Sequence, residues 1–150
     1  MRWREFLGVA MAAARSVPPD FLMIHLGGND LTKQTGKSLI LEILRDLATW
    51  KAQFPDCRVL WSTLIPRQTW WADCDPQKLN RSRKGVNQEV CRAVCREFGA
   101  VLGHPEFNVR RTELYRPDGV HLTDVGTELF LRDLRRGLAA ELEACGWPGP

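Results

Sequence analysis

The sequence predicts an α/β fold in three layers, a parallel sheet with helices on both faces. Three observations carry this. Helical and extended segments alternate along the chain, the order that right-handed β–α–β crossovers require. Phe21–Leu26 is a mostly apolar run closed by Gly27 and Gly28, as expected of a strand buried on both faces. The 150 residues, 44% hydrophobic and 26% charged, are enough for one domain with its own core.

Trp3, Phe6, Leu7, Ala10, Met11 and Ala14 recur at helical spacing and predict a helix over 2–15, ended by Pro18 and Pro19. The Phe21–Leu26 strand follows, and its glycines open a loop over 27–36. Leu39, Ile43, Leu47, Trp50 and Phe54 form the apolar stripe of a helix from Lys37 to Phe54. Arg58–Ile65 is the second strand, stopped by Pro66, and a loop over 67–78 carries Trp70 and Trp71. Leu79–Phe98 reads as a helix, with Val86, Val90, Val94 and Phe98 four apart; Gly85 weakens it and Gly99 closes it. Ala100–His104 is a short third strand, and an irregular stretch runs to Leu122. Thr123 caps a last helix that reaches about Ala144, with Leu131, Leu134, Leu138 and Leu142 as its stripe.

A net charge of +3 is too mild to announce a nucleic-acid binder. Lys78, Arg81, Arg83 and Lys84, with Arg110, Arg111 and Arg116, read as a solvated face, so nucleic acid is a weakly signalled partner. No apolar run reaches the ~18 residues of a membrane span. Residues 1–16 resemble a signal peptide superficially, but Arg2, Arg4 and Glu5 fit an amphipathic helix better. Five cysteines at irregular spacings read as free thiols, and the expected location is intracellular, cytoplasmic or nuclear.

Two stretches carry chemistry. In Leu26–Leu31, LGGNDL, Asn29 offers an amide at the carboxyl end of a strand, where ligands bind in open α/β sheets and where an amide N–H can donate to a developing oxyanion. In Asp118–Gly126, DGVHLTDVG, a tight turn brings a carboxylate three residues from an imidazole. Asp118 can hold one ring nitrogen of His121 and leave the other as a base, or it can simply shape the turn. These blocks resemble the G-x-N-D and D-x-x-H signatures of the SGNH/GDSL hydrolases, the family of GDSL esterases and lipases. The nearest likeness is the variant in proteins of vertebrate non-LTR retroelements.

The resemblance implies a flavodoxin-like sheet, a small ester or acylated substrate, and no metal or cofactor. It assigns His121 and Asp118 as the catalytic pair and Asn29 to the oxyanion hole. Gly28, Trp70 and Trp71 are placed on the substrate rim; the tryptophans could equally stack on bases or cover the core. It also implies two further strands before residue 1, one of them beside Phe21–Leu26. As written, that strand is an edge, which invites self-association.

The family's Gly-Asp-Ser block, which bears the nucleophile, is absent from these 150 residues. Ser16 precedes two prolines, Ser38 begins a helix, Ser62 lies inside a strand and Ser82 lies on a basic helix, so none has the strand-end elbow a nucleophile needs. The chain therefore reads as an esterase domain inactive by itself, or as a binding module for nucleic acid, lipid or protein built on that fold. Gly36-Lys37-Ser38 is not a phosphate loop, because Leu31 stands where a glycine is required. His25 reads as a hydrogen-bonded core histidine, and His104 as a strand-end residue that could line a cleft. No spacing fits a zinc site.

Overall fold

The computed structural model describes residues 1–70 and 74–147. In order they form α1 (Trp3–Ala13), β1 (Phe21–Ile24), α2 (Gly36–Gln53), β2 (Arg58–Ser62), α3 (Pro76–Ala93), a π-helical turn (Val94–Phe98), β3 (Gly99–Leu102), a 3-10 turn (Thr112–Leu114) and α4 (Asp124–Ala144). The three strands are parallel in the order β1-β2-β3. The chain has the expected α/β fold.

Strand alternation sorts the layers. Val59 and Trp61 face one side, where Trp3, Phe6, Leu39, Ile43, Val86 and Val90 of α1, α2 and α3 complete a sealed core. Arg58, Leu60 and Ser62 face the other side. There α4 is pinned by the Arg58–Glu141 ion pair (3.0 Å) and packs Gly137 against Leu102. Met23 of β1 shares this second face and is 37% exposed, because α4 sits over β2 and β3.

Polar side chains start the helices. Thr35 accepts from Ser38 N–H (3.1 Å), Asp75 from Gln77 N–H (2.9 Å) and Thr123 from Gly126 N–H (3.1 Å). Asp75 and Pro76 together start α3 three residues before Leu79. Arg2 has no side-chain acceptor to cap α1. Asp30 does it from a distance, taking Trp3 N–H on both carboxylate oxygens (3.1 Å each), so Asp30 serves the backbone of another element rather than its own turn.

Several expectations are corrected. β1 and β2 end at Ile24 and Ser62, short of Leu26 and Ile65. Beyond Thr63, whose N–H still donates to Leu102 C=O (3.0 Å), the backbone bonds to α3 instead of a strand: Asn87 takes Leu64 N–H (2.9 Å), while Asn87 and Arg83 donate to Leu64 C=O (2.9 and 2.7 Å). Arg83 is thus 9% exposed and no part of a solvated face. On α4, Leu131 is 41% exposed, and the buried positions are Gly126, Leu129 and Asp133.

Candidate active site at the carboxyl edge

The first part of the site is the turn after β1. Gly27 has φ +119°, a conformation that a side chain would strain, and its carbonyl accepts Asp30 N–H at 3.1 Å. This lifts exposed Asn29 at the carboxyl edge of the sheet. Beside it opens a cavity of about 200 Å³, bounded by residues 25–29, Leu64, Ile65 and Arg67.

The second part is the Asp118–His121 loop. Gly119 (φ +66°) closes its turn by donating to Arg116 C=O at 2.8 Å. Asp118 Oδ1 accepts the N–H groups of Val120 and His121 (2.9 Å each), and Asp118 Oδ2 lies 2.7 Å from His121 Nδ1. The imidazole, then those two N–H groups, hold the Asp118 carboxyl down at about 2. An ionised carboxylate here fixes the proton on Nδ1 and leaves the lone pair on Nε2.

One loop joins the two parts. Gln68 and Thr69 N–H donate to Gly119 C=O (2.9 and 3.2 Å), and Thr69 Oγ1 donates to Asp118 C=O. One residue earlier, Arg67 Nη2 donates to Asn29 Oδ1 at 2.9 Å. Trp70 is 7% exposed and packs into the core beneath the Arg67 guanidinium, so it is not an open rim. Trp71, the other expected rim residue, lies outside the described residues. Among the described residues no cluster of His, Cys, Asp and Glu could hold a metal ion.

Residues 1–129 match the GDSL-like lipase/acylhydrolase family. The chain belongs to that family. Solved structures similar to this GDSL-like domain include a serine-to-alanine mutant of an acetyl esterase with an acetate ion (19% identity, TM-score 0.69, 97% of this chain and 70% of that one). A carbohydrate esterase family 3 structure from Talaromyces cellulolyticus matches similarly (19%, 0.69, 96% and 69%). So does a GDSL-like lipase from Bacteroides thetaiotaomicron (15%, 0.73, 93% and 72%). At these identities the likeness is one of fold. A comparison with curated proteins finds no match.

The GDSL-like domain also holds a polar row that the sequence did not reveal. Ser62 Oγ, with no exposed surface, lies 2.8 Å from His104 Nε2 and 2.9 Å from His25 Nδ1. His104 Nδ1 is 3.2 Å from Asp133 Oδ2. Donor and acceptor counting sets the protons. His104 Nδ1–H donates to Asp133, Ser62 O–H donates to His104 Nε2, and His25 Nδ1–H donates to Ser62. This is the hydrogen-bond order of a Ser–His–Asp triad, but Ser62, His104 and Asp133 are buried and no strand-end elbow exposes the serine, so the row is a buried polar network and does not present a nucleophile. Asp133 lies four residues from both Leu129 and Gly137 on the inward face of α4, a face that the expected leucine stripe did not mark.

Burial lowers the pKa of His104, opposed by Asp133. His25 is pushed down to about 4, by desolvation first and then by His104. The residue as a whole is exposed at the sheet edge; the low value belongs to the ring face set against Phe130 (4.7 Å) and Ser62.

Proposed function

We propose that this chain is the acyl-ester hydrolase type of GDSL domain, acting on a small ester or acylated substrate. His121 is the general base, Asp118 its orienter and Asn29 an oxyanion donor. The Asp118–His121 pair at 2.7 Å, on a loop tied through residues 67–69 to the Asn29 turn, is the observation that carries this reading. The 150 residues supply no Gly-Asp-Ser serine, so the chain alone is nearly inert: a base without a nucleophile can at best activate water.

The test is hydrolysis of a short-chain aryl ester by three proteins: this chain, the chain joined to an N-terminal strand bearing a Gly-Asp-Ser turn, and that longer protein with His121→Ala. The first is expected near background and the second active. The third should lose about ten-thousand-fold, the scale seen when a triad is disrupted. Activity of the short chain that survives His121→Ala would place the chemistry elsewhere. A folded but inert longer protein would favour a non-catalytic module that binds nucleic acid, lipid or protein.

Two further properties belong to the same reading. No helix among the described residues is long and apolar enough to cross a membrane, and the five thiols are unpaired, which supports a reducing, intracellular setting. β1 pairs only with β2 among the described strands and exposes Met23, which supports self-association through that edge. Light scattering at rising concentration should show a growing mass that Met23→Lys reverses; a constant monomer mass would end this idea.

A further inference from the structure

One cation in the pocket has no role in acyl transfer as described so far. Arg67 leaves the end of β2 with both backbone groups held by Asn80: its N–H donates to Oδ1 at 3.3 Å and its C=O accepts from Nδ2 at 3.0 Å. Its guanidinium carbon lies 4.9 Å above the centre of the buried Trp70 ring. Among the described residues no carboxylate offsets the desolvation that lowers its pKa. Glycine at residue 28 leaves room for the guanidinium where it lies, since a Cβ there would stand 2.8 Å from Nη2 and displace it.

The contact with Asn29 decides which way that amide points. A guanidinium has donors and no acceptor, so the atom facing Nη2 at 2.9 Å must be Oδ1. Nδ2 is thereby turned away from Arg67 as a donor. We propose that Arg67 is a positioning and anion-recognition residue, which orients the Asn29 amide by holding its Oδ1 and brings a cation to the cavity beside it that receives a small carboxylate. The proposal rests on the acyl-ester reading, since hydrolysis of an ester releases a carboxylate, and it names the group that receives that charge. The planar fork of arginine offers a carboxylate parallel N–H donors that lysine lacks.

The test is an NMR titration of the ¹⁵N-labelled chain, which needs no turnover. Acetate is expected to shift the Gly28 and Asn29 backbone amides and the Asn29 side-chain NH₂, while neutral acetamide leaves them in place. Arg67→Gln should weaken acetate binding by about tenfold or more, the scale of one charge-assisted hydrogen bond. Arg67→Lys should bind more weakly than the parent chain and more tightly than Arg67→Gln. Gly28→Ala keeps the charge and displaces only the flexible end of Arg67, so it should cause a comparable loss with the rest of the spectrum unchanged. Three results would each overturn the proposal: acetate shifts undiminished in Arg67→Gln, equal shifts by acetamide, or no shift at Gly28 and Asn29. Failure of the esterase reading would look different, as acetate binding that persists in a longer protein that never hydrolyses an ester.

Discussion

Trp3→Ala is expected to remove about 3–5 kcal/mol of stability, the usual cost of emptying a buried tryptophan site. Trp3 is fully buried, stacks on Phe6 with ring centroids 4.6 Å apart and lies 6.0 Å from Trp61. Its indole N–H donates to Asp46 Oδ2 at 2.9 Å, and Asp46 is itself 4% exposed. Truncation therefore leaves a cavity and removes a donor from a buried carboxylate that keeps Arg45 (2.9 Å). In a domain of this size the melting temperature should fall by roughly 6–20 °C. Trp3→Phe keeps most of the packing and should lose about 1–3 kcal/mol, chiefly the hydrogen bond. Urea unfolding of the three proteins checks the order. Equal stabilities would mean that α1 is only loosely docked. The effect should reach the site, because Asp30, next to Asn29, holds the Trp3 backbone.

Acidification should destabilise the protein before most carboxylates titrate. His25 and His104 have pKa values below the ordinary 6.5 in the folded protein. The unfolded chain therefore binds more protons as pH falls below 6.5. Stability is fully present above that pH and is lost downwards, for His25 until about 4. A sealed histidine contributes at most about 1.4 kcal/mol per pH unit; His25, exposed at the sheet edge, contributes a fraction of that. Melting temperatures between pH 7 and pH 5 should decline in the parent chain and flatten in the His25→Gln, His104→Gln double variant. An unchanged slope in that variant would remove the row from the account. Asp118 acts lower: its depressed pKa adds stability that is lost only as pH falls from 3.8 towards about 2.

The local parts of the candidate site were legible because each is written in adjacent residues. Pro117-Asp118-Gly119 forces a turn, and three residues of spacing on it put the Asp118 carboxylate at His121 Nδ1. Gly27-Gly28 after an apolar run places Asn29 beyond a strand end. The retroelement likeness of these blocks has no counterpart among the solved neighbours described above. Arg67, by contrast, reads as an ordinary loop cation. Nothing beside it in sequence says that Asn80 clamps its backbone or that Gly28 makes room for its guanidinium.

Periodicity and punctuation in the sequence by themselves determined the α/β class and the three parallel strands, and the resemblance of the LGGNDL and DGVHLTDVG blocks pointed to the family. Apolar spacing and the Gly and Pro breaks act within a few residues and survive any later arrangement. Tertiary structure alone decided what is buried and what meets. Parallel register sets Ser62 opposite Leu102 and one row beyond the Ile24–Trp61 pair, which aligns His25, Ser62 and His104 along one edge. The rotation of α4 then brings Asp133 to that row and leaves Leu131 in solvent. The open Leu64 carbonyl past the end of β2 draws Arg83 inward from a helix that reads as solvated. Each outcome depends on a hydrogen bond whose partner lies 19 or more residues away, which no local pattern encodes.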